Sequence, residues 1–371
     1  MRLWREPAQR SRGPHSVSVG RNTIGRMRLA TVAMRKALTL VAIATVALAV
    51  TWSGGTFFTN SALPRAHAAD ANYQLIQEPD AGYSPIIGLI GGAARSVRMT
   101  MYELEDPAAV NALIDAHHRG VDTKVILDAA FHGRRTNSEA FQELSDAGLQ
   151  VKWAPDGVIY HQKTIIVDDT TAAVGTGNLT PQYYPTSRDA WVLDTNPDDV
   201  VAIAATFDTD YTSAPSGRAP EATVAPNLIW SPGARANFLQ HLDQATHRID
   251  VTSAELKDRA VLSALEKAAR RGVQCRIVLT ENAAWANAVA EVSAAGCSVH
   301  LFPDTDTGLY MHEKILLTDS TALIIGSQNL STTSLLENRE LSLGLDTTSA
   351  PGLIGAVEST FDADYAAAPA R

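Results

Sequence analysis

A chain of 371 residues is longer than one ordinary domain and suits two. Hydrophobic residues at 45% and charged residues at 19% give a globular composition and exclude disorder. Residues 70–371 hold 21 basic and 39 acidic side chains, a net of −18, which disfavours strong nucleic-acid binding.

In chain order, the first feature is a basic stretch ending at Lys36, followed by the apolar run Ala37–Trp52 and then Ala66-His67-Ala68. A positive flank, a short apolar core and an A-x-A site predict a secretory signal within residues 1–69, cleaved near Ala68. The alternative is a retained N-terminal membrane anchor, because the 16-residue run is borderline for a span. Beyond it, the pattern predicts a strand over 97–102, a helix over 107–118 stopped by Gly120, and a strand over 123–127. A helix over 137–147 and a strand over 149–153 follow. The second half predicts the same series: strand 249–253, helix 259–270 stopped by Gly272, strand 275–279, helix 284–295 and strand 298–302. Near-continuous apolar strands alternating with helices predict α/β layers on a largely parallel sheet.

The series is an internal repeat. Arg119-Gly-Val and Arg271-Gly-Val lie 152 residues apart, and Thr206-Phe-Asp-Thr-Asp-Tyr211 matches Thr360-Phe-Asp-Ala-Asp-Tyr365. The halves run over 70–212 and 226–371, joined by a Pro- and Ser-rich linker at 213–225. Cys275 and Cys297 sit near strand starts, and either a disulfide or two buried thiols fits them.

The chemistry lies after the third strand of each half. His161-Gln-Lys163, Asp168 and Gly175-Thr176-Gly-Asn178 correspond to His312-Glu-Lys314, Asp319 and Gly326-Ser327-Gln-Asn329, with Asp189 and Glu340 further on. Each pair is separated by 151 residues. A single His-x-Lys-x4-Asp arises by chance in roughly a few per cent of chains this size. Its recurrence in register, with Asn and acid also matched, excludes coincidence. Extended chain turns residues i and i+2 to one side, so each His and Lys point together. Ammonium, amide and hydroxyl donors can hold phosphate oxygens, with Thr176 and Ser327 as candidate substrate contacts. A histidine can attack phosphorus or move a proton, and Asp189 and Glu340 can fix its tautomer. Two histidines are needed for a covalent route, and each half supplies one.

These segments resemble the paired HxKxxxxD motifs of the phospholipase D superfamily, over roughly residues 75–365. The resemblance implies two pseudo-twofold-related α/β/α sandwich domains with the active site at their interface. It implies that His161 attacks and His312 acts as general acid and base. Lys163, Lys314, Asn178 and Asn329 bind phosphate, Asp168 and Asp319 are structural supports, and neither cofactor nor metal is used. With Asp189 taken as the acid of the first imidazole, its shorter side chain leaves that ring less firmly oriented than Glu340 would.

Arg134 and Arg135 follow the second strand, where a headgroup phosphate can be met. The leading functional expectation is a secreted, monomeric phospholipase D that hydrolyses glycerophospholipids at a membrane surface, with some transfer to alcohols. The alternatives are an endonuclease of the same family, a cardiolipin-synthase-like phosphatidyltransferase and a non-enzymatic binding module.

Overall fold

The computed structural model describes residues 70–213 and 218–371. The secretory-signal and anchor expectations, and linker residues 214–217, lie outside the described residues. In the first half, β1 (Tyr73–Gln77), α1 (Ser84–Gly91), β2 (Ser96–Met101), α2 (Pro107–His118) and β3 (Asp122–Leu127) come first. Then follow α3 (Gly133–Thr136), α4 (Ser138–Asp146), β4 (Gln150–Trp153), β5 (Lys163–Val167), β6 (Thr171–Gly175), β7 (Ser187–Arg188), β8 (Ala190–Asp194) and α5 (Pro197–Thr212). The second half opens with β9 (Leu228–Ser231), α6 (Arg235–Gln244), β10 (Arg248–Thr252), α7 (Arg259–Arg270) and β11 (Gln274–Thr280). It continues with α8 (Ala286–Ala294), β12 (Ser298–Phe302), β13 (Tyr310–Met311), β14 (Ile315–Thr318), β15 (Ala322–Gly326), α9 (Thr332–Leu336), β16 (Glu340–Asp346) and α10 (Pro351–Ala367).

Local chemistry sets the element ends. Asp106 and Asp258 cap α2 and α7 by accepting backbone N–H groups of the first turn. Gly120 and Gly272 end those helices at φ +90° and +89°, where a side chain is strained. The β5–β6 and β14–β15 hairpins turn through left-handed Asp168-Asp169 and Asp319-Ser320. Asp168 offsets that strain by accepting the N–H groups of Ala94, Arg95 and Ser96; Asp319 does the same for Thr246, His247 and Arg248. Desolvation alone would raise both carboxyls, but these donors together hold them low, Asp319 at about 2. Both aspartates thus brace the turns.

The first sheet runs β1-β8-β6-β5-β2-β3-β4 and the second β12-β11-β10-β14-β15-β16-β9. Only β2–β3–β4 and β10–β11–β12 pair in parallel; every other pairing in the two large sheets is antiparallel. The expected largely parallel sheet is therefore corrected to a mixed one. Continuous apolar strands report burial on both faces, and here helices cover both faces whatever the strand direction. One core lies between the first sheet and α1, α2 and α4, and a second between the second sheet and α6, α7 and α8. A third core joins the inner faces of both sheets through α5 and α10. Cys275 and Cys297 are buried free thiols.

The closing repeat has a structural purpose. Asp210 on α5 pairs with Arg339 of the second half at 2.6 Å, and Asp364 on α10 pairs with Arg188 of the first at 2.8 Å. Arg339 and Asp210 expose 1% and 0% of their side chains. Removing one partner strands a buried charge, which costs about 3–5 kcal/mol. Asp210→Ala is therefore expected to lower the unfolding free energy from denaturant titration by that much, whereas Asp208→Ala, at an exposed position on the same helix, changes it little.

Candidate active site

The motif histidines stand just ahead of the strands they were expected to join. β5 begins at Lys163 and β14 at Ile315. The preceding backbone pairs instead with the opposite half. Tyr160 bridges in parallel to Arg339, and β13 pairs in parallel with β7, matching Met311 to Arg188. His161 N and Gln162 N donate to Arg339 O at 3.0 and 3.2 Å; His312 N and Glu313 N donate to Arg188 O at 3.2 and 2.7 Å. The acid after each arginine is thereby laid against the other half's imidazole.

The acid partners are exchanged between halves. His161 Nδ1 lies 2.7 Å from Glu340 Oε2, and His312 Nδ1 lies 2.9 and 3.1 Å from the two Asp189 oxygens. The expectation that Asp189 serves the first imidazole is corrected: the shorter acid orients His312, and the longer one reaches His161. Burial alone would raise both carboxyls. His312 and Lys314 hold Asp189 at about 2, and His161 and Lys163 hold Glu340 below its usual range. An ionised carboxylate only accepts, so each Nδ1 carries the proton and each Nε2 presents its lone pair.

The lysines add positive potential. Lys163 and Lys314 are buried, and each donates to the carbonyl of its own motif histidine, Lys163 at 2.5 Å. Lys314 also donates to Thr176 O at 3.1 Å, across the seam between halves. Burial, with Lys314 nearby, lowers Lys163 to about 7, and burial lowers Lys314 to about 8. Burial likewise drives His161 to about 4 and lowers His312. Crowded, desolvated cations of this kind suit a site that receives an anion.

Not every predicted contact is available. Thr176 spends its hydroxyl proton on Asp189 at 2.7 Å and accepts from Ala190 N at 2.8 Å. Ser327 Oγ accepts from Leu341 N at 3.1 Å. Both residues are fully buried. They brace strands and, at Thr176, an acid, so their reading as substrate contacts is corrected. Asn178 Nδ2 donates to Glu103 at 2.7 Å, whereas the Asn329 carboxamide has no such tether among the described residues. Arg134 is exposed and bound to Asp156 at 2.7 Å, stacked over Trp153. Arg135 is also exposed, and neither arginine joins the motif residues.

Several site residues had no place in the sequence reading. Ser334 and Asn338 donate to Glu340 Oε1, the latter at 2.9 Å, and Ser187 donates to Asp189 at 2.7 Å. Tyr102 packs its ring edge-on to His161 with 4.6 Å between centroids, and Lys163 lies over its face. A Cβ at Gly177 would come within 2.7 Å of Asp189 Cγ, so only glycine lets the loop close on that acid. Glycine between Thr176 and Asn178 was the one available sequence signal.

Residues 86–211 and 238–365 each match the family model described as "Cardiolipin synthase, PLD-like domain". Cardiolipin synthase A of Pseudomonas fluorescens is 27% identical over 320 residues, 74% of this chain. The chain spans 65% of that relative's length. Among solved structures, the phosphatidylserine synthase of Haemophilus influenzae superposes with a TM-score of 0.63 at 12% identity, covering 81% of this chain and 87% of that one. The polyphosphate kinase of Porphyromonas gingivalis gives 0.58 at 16% identity, covering 79% of this chain and 50% of that one. At these identities the two structures share the fold alone.

Proposed function

Because the chain belongs to the phospholipase D superfamily, a family of phosphodiester-acting enzymes, we propose that it moves phosphatidyl groups from a glycerophospholipid to an alcohol, with water as a competing acceptor. The observation that carries the chemistry is the exchange of acids. Each imidazole is held through Nδ1 by the opposite half, which leaves its Nε2 clear of the acid, and each ring feels the other half's motif lysine; in this reading the two Nε2 atoms flank one phosphorus. The similarity to a cardiolipin synthase favours transfer as the main outcome over the hydrolysis expected from sequence.

The steps follow from the residues. His161 Nε2 attacks phosphorus and forms an N–P bond while the P–O bond to the headgroup breaks. His312, protonated at Nε2 as the anionic substrate arrives, gives that proton to the departing alkoxide. The incoming alcohol then returns a proton to His312 and attacks phosphorus, and the N–P bond breaks. Lys163, Lys314, Asn178 and Asn329 hold the non-bridging oxygens, where charge grows in each transition state. The proposed setting is a membrane surface reached by export or by retention of residues 37–52.

The general acid His312, whose pKa burial lowers, opens the alkaline limb, and the lysines extend it. Their lowered pKa values mean that charge is lost as pH rises through about 7 for Lys163 and then about 8 for Lys314. In the free enzyme kcat/KM is therefore expected to fall as pH rises through neutrality, and Lys163→Arg is expected to make the fall shallower above pH 7 while leaving the part set by His312 in place. A pH–rate profile measured from pH 5 to 9 checks this.

The deciding assay gives the purified chain phosphatidylglycerol vesicles, phosphatidylcholine vesicles and single-stranded DNA in parallel. Release of glycerol with formation of diphosphatidylglycerol, which carries four acyl chains, supports transfer. Phosphatidic acid alone assigns hydrolysis instead. DNA cleavage without lipid turnover overturns both.

A further inference from the structure

Asn178 and Asn329 occupy matching positions in unlike surroundings. A parallel bridge between Leu104 and Leu179 lays residue 103 beside residue 178, and one between Leu256 and Leu330 lays 255 beside 329. Each half thus brings a glutamate to its asparagine, Glu103 or Glu255. Glu103 is fully buried and accepts from Asn178 Nδ2 at 2.7 Å. Glu255 is partly exposed and turns to Lys257 at 3.2 Å. The residue two places on separates them: Lys257 draws Glu255 outward, whereas Glu105 repels Glu103.

A carboxyl without solvent access is costly to keep unless its partners need it. Glu103 faces Lys163 electrostatically, and His132 Nδ1 lies 3.6 Å from its Oε1. Its ordered partner is the Asn178 carboxamide. That group has two N–H donors on a soft terminal torsion. Fixing one donor fixes the direction of the other.

We infer that Glu103 is a positioning residue: it clamps the Asn178 carboxamide so that the second N–H meets the phosphate, making the first half the pre-formed side of the anion site. The inference rests on the phosphodiester reading above. A donor already aimed needs no reorganisation as charge develops, so the clamp acts on kcat more than on KM.

The test compares Glu103→Ala, Glu103→Gln and Glu255→Ala in the full chain, with bis(p-nitrophenyl) phosphate as substrate. Glu103→Ala is expected to lower kcat about 100-fold with little change in KM. Glu103→Gln, whose Oε1 still accepts, is expected to recover most of that loss, and Glu255→Ala to stay within a few-fold of the parent. If Glu103→Ala does not fold, Glu103→Asp, too short to reach, takes its place. Equal losses in the Glu103 and Glu255 variants, or no rescue by glutamine, overturn the clamp. The side-chain amide resonance of Asn178, followed during titration with inorganic phosphate, reads the clamp without turnover. A phosphate response weakened by Glu103→Ala and kept in Glu255→Ala supports it even if the parent cleaves no phosphodiester, and an unaltered response overturns it.

Discussion

His312→Asn is expected to perform one round of chemistry and then stop. With a p-nitrophenyl phosphodiester the leaving group needs no proton, so His161 can still attack and release one equivalent of nitrophenolate. The phosphoryl group then stays on His161, because nothing deprotonates the second nucleophile. Steady-state turnover is expected to fall by roughly 10⁴-fold or more, with a burst close to the enzyme concentration. His161→Asn is expected to lose turnover as deeply and to give no burst. Rapid mixing followed by mass spectrometry of the quenched protein distinguishes the two. A burst in His161→Asn and none in His312→Asn would reverse the roles. That reversal would leave the exchanged acids in place, since each ring keeps its own.

The second large effect comes from the acids. Asp189→Asn is expected to act through His312, although both the mutated residue and His161 belong to the first half. An amide can turn its N–H toward Nδ1, favouring the tautomer with the proton on the wrong nitrogen, and losses of roughly 10³- to 10⁴-fold follow from such a change. In the first step, read as single-turnover leaving-group release, the loss should concentrate on substrates with poor leaving groups, which need the general acid; release of the phosphoryl group from His161 slows for every substrate. Glu340→Gln is expected to weaken the nucleophile and so to depress all substrates, with no burst. Both variants are measured against a series of leaving groups. A slope steepened by Glu340→Gln and left unchanged by Asp189→Asn would place the acids within their own halves and contradict the geometry.

Much of the fold was legible because it is written locally. The helices over 107–118 and 259–270 were placed by apolar positions at helical spacing and a glycine after, and those glycines do stop them, while the capping aspartates Asp106 and Asp258 were there to be read and were not used. The motif set was legible because it occurs twice. What escaped notice has no local signature. His161 and Glu340 are 179 residues apart, and neighbouring sequence does not reveal their contact. Strand direction escaped because burial on two faces erases the alternation that separates one sheet type from another. The hydroxyls of Thr176 and Ser327 were legible as donors beside a phosphate, but their existing partners are backbone and acid groups from strands whose position only the folded chain fixes. Glu103 had a faint signal: a glutamate kept at the end of a strand in both halves, where an apolar residue would be cheaper to bury.

The exchange of Asp189 and Glu340, locked by the Arg188–Asp364 and Arg339–Asp210 pairs, has a genetic corollary. After most duplications one copy is free to decay while the other carries on. Here a lesion in either copy disarms a ring belonging to its sibling, so neither can be inherited as a spare. A single substitution at either acid is therefore expected to disable both halves together, so the two copies behave as one unit.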